Sequence, residues 1–223
     1  MGTLLANLVP LALGIAISPV PVIAIIMMLS SGKALANALM FDLGWVLAMT
    51  ALGAVGLAVL GGKNVAGHKG AGPAADIADL VLGVLLLLLA ARRWRSRRSG
   101  APEKEPRLLK SIDSLKPVTA LAFGAALILL NPKNLMITIS GIAQILQADP
   151  GTSASIVALV VFIAVATIGV LLPVLVYSLM PKRSASILGS WKTWLSAHDS
   201  VVMMYMLLVL GIFLLAKGIA GLV

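Results

Sequence analysis

The sequence predicts an all-α integral membrane protein, and three observations lead to that class. Hydrophobic side chains make up 60% of the 223 residues and charged side chains 11%, whereas about 25% of residues are charged in an ordinary soluble domain. The mean hydropathy of +1.07 excludes a disordered chain. Apolar runs of spanning length, about 20 residues each, recur along the chain. We expect six transmembrane helices joined by short loops.

The composition offers little for catalysis. Cysteine is absent, and the two histidines, His68 and His198, fall in predicted loops. The sequence also lacks an HExxH motif and paired acids within one span, which are the usual bases of metal or acid–base chemistry. We therefore expect no enzyme activity, no cofactor and no bound metal.

The first half of the chain, residues 1–91, contains three apolar runs. The first run, 4–29, lacks the basic start and short apolar core of a cleaved signal peptide, so we expect a retained span. The second run covers 34–60, and a glycine-rich loop at 61–75 separates it from the third run, 77–91. These three spans form the first predicted repeat.

A basic segment at 92–116 divides the two halves. Nine of the 17 Lys and Arg residues lie in it. The basic residues behind the net charge of +9 are thus concentrated in one loop on a membrane face. There they act as a topology signal or hold anionic lipid head groups, and they do not indicate nucleic-acid binding.

The second half, residues 117–223, again contains three runs, at about 117–146, 155–180 and 201–223. Before the last run, residues 184–197 place apolar side chains on one helical face and polar side chains on the other. Trp191 and Trp194 flank Lys192, so this segment predicts a helix lying in the membrane interface. The alternative is an irregular loop with anchoring tryptophans.

The distribution of basic residues predicts the orientation. Thirteen of the 17 Lys and Arg residues fall on the side that holds Lys33, the basic segment and the connection before the last run. That side is expected to be cytoplasmic, which places both termini outside. Since each half has an odd number of spans, the second half enters the membrane in the opposite sense, and the two three-helix repeats are inverted.

Each half carries a polar, proline-bearing break at a corresponding depth. The breaks are Ser18-Pro19-Val20-Pro21 in the first span and Asn131-Pro132-Lys133-Asn134 in the fourth. Proline lacks an N–H, so each proline should leave the carbonyl four residues earlier without its helical partner, namely those of Ile15, Ile17 and Ile128. Interrupted helices at matching positions of two repeats are the best sequence pointer to a transport site.

We therefore expect the two breaks to face each other around a polar pocket that binds substrate. The alternative is a plain proline kink held by neighbouring helices. That alternative is the interpretation we adopt for Pro10 and Pro173.

Lys133 and Asp42 stand inside apolar runs, where a charge costs about 2.5–3.5 kcal/mol at a helix centre. One hypothesis pairs them as an ion pair or makes Asp42 a proton-coupling residue. The alternative places Asp42 in a cytoplasmic vestibule and lets Lys133 snorkel or bind the freed carbonyls. Asn131 and Asn134, three residues apart, either bind a polar head group or join helices by hydrogen bonds.

Three motifs also carry a family resemblance: SPVPVIAIIMMLSS at 18–31, FDLGWVLA at 41–48 and NPKNLMITISG at 131–141. Together they resemble the actinobacterial glycopeptidolipid- and sulfolipid-addressing proteins, the GAP or Sap family, and more broadly the lysine-exporter (LysE) superfamily. The resemblance implies a LysE-like fold and a bacterial cytoplasmic-membrane protein that assists export of an envelope lipid or glycolipid. It also implies a larger lipid transporter or synthase as partner.

Two other functions stay open from the residues alone. One is export of a small solute, such as an amino acid or a cation. The other is a non-transporting adaptor that anchors a lipid-synthesis complex through its basic segment. A homodimer is compatible with all three, because small bundles often need a partner to enclose a pathway.

Overall fold

The computed structural model describes residues 1–61, 73–98 and 115–222, which form eight α-helices and no strand. The all-helical class is confirmed. Most of the predicted 61–75 loop, with His68, and residues 99–114 of the predicted 92–116 linker lie outside the described residues. The helices are α1 (Gly2–Ala16), α2 (Pro19–Leu29), α3 (Ala34–Gly61), α4 (Pro73–Arg98), α5 (Pro117–Leu129), α6 (Pro132–Ala148), α7 (Thr152–Leu179) and α8 (Pro181–Leu222).

Among the described residues, three helices are long and apolar enough to cross a membrane, namely α3, α7 and α8. The number rises to five when each of the bent pairs α1–α2 and α5–α6 counts as one span. The predicted six spans are not confirmed, because α4, which contains the predicted third span, is outside this set. Two aspartates near the start of α4 and five arginines at its end interrupt its apolar stretch.

Both predicted breaks are present. The first lies between α1 and α2, which bend by 50°, and the second between α5 and α6, which bend by 70°. Pro19 and Pro132 each begin the helix after the break. A proline at the first helical position loses no hydrogen bond, because that N–H has no partner inside the helix. The same residue cannot continue the preceding helix, so the break falls directly before it.

Two sequence expectations about isolated residues can be compared with the helices. Pro10 and Pro173 both lie inside continuous helices, α1 and α7, and neither ends its helix. His198 was expected in a loop, and this was wrong, since it lies in α8 and stacks on Trp194 at 4.8 Å between ring centroids.

Glycines bring the helices of the two halves into backbone contact. Gly44 of α3 packs against the backbone of Leu121, and Gly124 of α5 packs against the backbone of Phe41. Gly169 of α7 packs against the backbone of Ala16, the last residue of α1. Small residues at such close contacts are typical of membrane helix interfaces.

Some of the helix contacts in one half have a counterpart in the other half. Helix α3 packs on α5 and α6, while α7 packs on α1 and α2. Helix α8 packs on α2, and α4 packs on α6. Exchanging α1–α4 with α5–α8 in order converts each of these contacts into another contact that is also present. The contacts of α1 with α6, of α7 with α8 and of α1 with α8 have no comparable counterpart among the described residues.

Helices α4 and α8 run antiparallel along each other. Gly218 packs against Asp76 near one end, and Arg93 approaches Asp199 at 3.8 Å near the other. Helix α4 continues through Arg98, so the first seven residues of the predicted 92–116 linker are helical. The predicted interfacial segment 184–197 is also helical, but it forms the first part of the continuous helix α8 and is not a separate element.

Candidate functional site

The first break presents one polar side chain. Ser18 is 1% exposed and precedes α2 as its N-cap residue, but its side chain makes no capping hydrogen bond. Its Oγ has no partner among the described residues. Pro19 and Pro21 are buried and form the first turn of α2. The first break therefore consists of a free hydroxyl beside backbone groups at two helix ends.

The second break is capped by its own asparagine. The Oδ1 atom of Asn131 accepts a hydrogen bond from the backbone N–H of Lys133 at 3.2 Å. This bond satisfies one of the N–H groups that every helix leaves free at its start. Pro132 between them is exposed and occupies the first helical position. Asn131 thus acts as the N-cap of α6.

Lys133 connects the two breaks. Its Nζ donates a hydrogen bond to the backbone carbonyl oxygen of Gly14 in α1 at 2.9 Å and lies 3.9 Å from Sδ of Met206. The side chain is 3% exposed. An ammonium group is favourable at the C-terminal end of a helix, where the free carbonyls carry partial negative charge. The breaks are therefore in direct contact, with a cation from one binding the helix end of the other.

The carbonyl that Lys133 binds is not one of the three that the proline positions predicted. Ile15 was expected to be free, but its oxygen accepts the N–H of Ser18 at 3.1 Å. The chain leaves α1 at Ala16, so Gly14 loses its helical donor instead and receives Lys133. Lys133 therefore binds a backbone carbonyl at a broken helix end, as predicted, but that carbonyl belongs to Gly14 and not to one of the three predicted residues.

Asn134 lies one position further along α6 and binds the other half of its own broken helix. Its Nδ2 donates to the carbonyl oxygen of Leu127 in α5 at 3.0 Å. The residue is fully buried, and its Oδ1 has no partner among the described residues. Asn134 therefore both closes the second break and leaves one buried acceptor free.

Asp42 and Lys133 do not form the ion pair that was one hypothesis. Both carboxylate oxygens of Asp42 are buried without a hydrogen-bond partner among the described residues. The alternative, in which Lys133 binds a carbonyl at a helix end, is the arrangement observed. A proton-coupling role for Asp42 stays a prediction.

A second buried polar cluster joins three helices and was missed from the sequence. Asp79 of α4 is 1% exposed, and its Oδ2 accepts from Nζ of Lys217 at 2.8 Å. Its Oδ1 accepts from Oγ of Ser140 in α6 at 3.3 Å. The signal in the sequence was an aspartate near the start of one apolar run and a lysine near the end of another, and nothing in the sequence pairs the two.

The described residues contain no cluster that indicates metal binding. Within residues 1–61, 73–98 and 115–222, no three His, Cys, Asp or Glu residues come close enough to hold an ion. The polar atoms at the breaks are amides, a hydroxyl, an ammonium and backbone groups. These groups bind organic polar head groups and anions more readily than metal ions.

The fold and the contact between its breaks define a class: an all-helical membrane protein in which two interrupted helices meet in the interior. The comparison with known families adds a particular one. The model of the family described as Sap, sulfolipid-1-addressing protein, matches residues 8–220, nearly the whole chain. The chain belongs to this family. None of the curated proteins and none of the solved structures compared matches it.

Proposed function

We propose that this protein carries an envelope lipid or glycolipid across the bacterial cytoplasmic membrane, with the two breaks as the site for the polar head group. The observation that carries the proposal is the hydrogen bond of Lys133 to Gly14, which joins the two breaks in the interior. The family supports a role in the addressing of a lipid. Non-helical backbone within a membrane is tolerated only where protein or a polar cavity surrounds it.

The polar groups at the breaks suit a head group with both donors and acceptors. Ser18 Oγ and Asn134 Oδ1 are buried without partners among the described residues. Lys133 has three N–H donors, of which Gly14 receives one in a short hydrogen bond. The ammonium can thus bind an anionic or hydroxyl oxygen while it still holds the end of α1.

The inverted-repeat arrangement, and with it the LysE-like fold, is part of the proposal. Its support is the correspondence of helix contacts, in which the pair α3–α5 matches α7–α1 and the pair α2–α8 matches α6–α4. Carriers built in this way move one repeat against the other around a central site. In this proposal α4 contains the third span and brings the total to six. The basic side is cytoplasmic, both termini are outside and the chain has no enzyme activity.

A non-transporting adaptor is the second candidate, because the last turns of α4 expose Arg92 and Arg95. In that case the basic surface holds a lipid-synthesis complex, and the breaks serve only packing. A larger transporter or synthase as partner is compatible with either candidate.

Envelope lipid profiling of a deletion strain separates the two candidates. The strain is complemented with the wild type, with Lys133→Ala, or with Lys116→Ala, which removes the same charge at an exposed position. We expect the outer envelope fraction to regain its lipid with the wild type and Lys116→Ala, and to lack it with Lys133→Ala. An adaptor would tolerate Lys133→Ala and fail when Arg92 and Arg95 are neutralised.

A further inference from the structure

Three polar side chains that belong to neither break are buried along the first half of α3. Asn37 is 1% exposed, Asp42 is 7% exposed and Trp45 is fully buried. They fall within nine residues of a helix that is otherwise strongly apolar. Buried polar groups of this kind normally have hydrogen-bond partners, so each exception requires a physical reason.

Most of the polar atoms of these side chains lack partners. The Nδ2 of Asn37 donates to the carbonyl oxygen of Leu115 at 3.0 Å. Its Oδ1, both carboxylate oxygens of Asp42 and the Nε1 of Trp45 have no hydrogen-bond partner among the described residues. Burying a polar atom without a partner costs free energy, most of all for a carboxylate. Within the described part of the chain, four such atoms on one helix are therefore open to a ligand or to solvent.

The spacing places the three side chains on one side of α3. Positions 37, 42 and 45 span an arc of about 140° on a helix with 3.6 residues per turn, and position 41 falls inside the same arc. Phe41 stacks on Trp45 at 6.2 Å between ring centroids and meets Phe123 of α5 edge-on at 5.8 Å. The unpartnered polar atoms are therefore bordered by an aromatic cluster that belongs to the interface of α3 and α5.

The chemistry of these atoms selects the ligand. Asn37 and Asp42 offer three acceptor atoms, and Trp45 offers one donor. A sulfate or phosphate brings only acceptors when it is ionised, and Asp42 repels it. An ammonium group brings only donors and leaves the indole N–H unsatisfied. Hydroxyl groups both donate and accept, so several hydroxyls on one ligand match the whole set.

We propose that Asn37, Asp42 and Trp45 bind a hydroxyl-rich head group, such as a sugar or another polyol, at a subsite separate from the breaks. As part of transport this inference rests on the proposed function, whereas its binding chemistry can be measured independently. Asp42 then accepts hydroxyl protons in two hydrogen bonds, and Trp45 donates to a hydroxyl oxygen. The cationic break and this acceptor-rich subsite differ in chemistry, so together they suit a head group with an anionic end and a hydroxylated end.

Tryptophan fluorescence of the purified full-length chain tests the subsite. Trp94, Trp191 and Trp194 are replaced by Phe, which leaves Trp45 as the single reporter. The probes are octyl glucoside, octyl phosphocholine with the same chain length, and methyl glucoside with the same head and no tail. We expect a saturable change of Trp45 emission with octyl glucoside and none with octyl phosphocholine. Methyl glucoside distinguishes a site for a free sugar from one that also requires the lipid tail.

Asp42→Asn in the same background removes the charged acceptor at nearly unchanged volume. We expect the apparent Kd for octyl glucoside to rise at least about tenfold, as for the loss of a hydrogen bond to a charged group. Asp149→Asn, at an exposed acid, serves as the matched control and should leave the Kd unchanged. If Asp42→Asn does not fold, the contrast between the glucoside and the phosphocholine in the unaltered site still decides the question.

Three results would overturn the subsite and leave Asp42 solvated by water only. They are an equal emission change with both octyl probes, no emission change with any probe, and an unchanged Kd for octyl glucoside in Asp42→Asn. The proposed function is tested separately. Loss of lipid export in Lys133→Ala with no glucoside binding refutes the subsite alone, whereas glucoside binding without any lipid export refutes the carrier alone.

Discussion

The two breaks are stabilised by different groups: side chains at the second break and mainly backbone contacts at the first. At the second break, three side chains make the stabilising hydrogen bonds. Asn131 caps α6, Asn134 binds the end of α5, and Lys133 binds α1 at the first break. At the first break, backbone predominates, since Ser18 makes no capping bond and the end of α1 is held by Lys133 and Gly169. Substitutions in the two breaks should therefore have unequal effects.

The largest expected effect comes from Gly169→Ala, which tests the backbone contact that holds the first break. An added Cβ would overlap the carbonyl oxygen of Ala16, and the backbone of two packed helices cannot yield without repacking. We expect a loss of about 3 kcal/mol in the free energy of unfolding, measured by titration with a denaturing detergent. Gly189→Ala is the control, because its Cβ meets nothing within 4 Å. A gain of about 0.5–1 kcal/mol is expected there, and equal effects at both glycines would contradict the contact.

Lys133→Met should have the next largest effect, because it removes the bond between the breaks. The methionine fills much of the same volume but leaves the carbonyl of Gly14 buried without a donor. We expect a loss of about 2 kcal/mol in the free energy of unfolding, together with loss of lipid export. Lys116→Met at an exposed position should change neither. Unaltered stability and export in Lys133→Met would show that the contact is dispensable.

Asn131→Ala should cost about 1 kcal/mol, the usual contribution of an N-cap side chain. The capping oxygen is lost, and the N–H of Lys133 becomes free. Asn131→Asp keeps an oxygen in place and should recover most of the stability. Thermal unfolding of the three proteins in the same detergent measures the difference, and an aspartate that behaves like alanine would argue against the cap.

Ser18→Ala should have the smallest effect on stability, within about 0.5 kcal/mol, since Oγ has no hydrogen bond to lose. If Ser18 binds the head group, lipid export should nevertheless fall. Comparing export with the thermal unfolding of the same variant checks this expectation. A stability loss as large as that of Asn131→Ala would mean that the two breaks are more alike than the structure indicates.

The breaks themselves could be predicted from the sequence because their cause is local. Pro19 and Pro132 cannot continue a preceding helix, and polar side chains beside them mark where the backbone leaves it. The partner of Lys133 could not be predicted, since it depends on how α1 ends and on the packing of α6 against it. Only the exact residue at which the chain leaves the helix decides which carbonyl becomes free.

Other features escaped prediction for a different reason. The change from polar to apolar residues near position 200 suggested an element boundary, yet α8 continues through it. A helix ends where its backbone is capped or broken, and a change of polarity does neither. Asp79 and Lys217 lie 138 positions apart in the sequence, and only the antiparallel packing of α4 on α8 brings them to 2.8 Å.

Lipid translocation in reconstituted vesicles tests the central claim most directly. Vesicles carry the wild type, Lys133→Met or Lys116→Met, and the transfer of an envelope lipid between leaflets is followed over time. The account predicts transfer with the wild type and Lys116→Met, and the rate of protein-free vesicles with Lys133→Met. Transfer by folded Lys133→Met at the wild-type rate, or no transfer by the wild type, would contradict it.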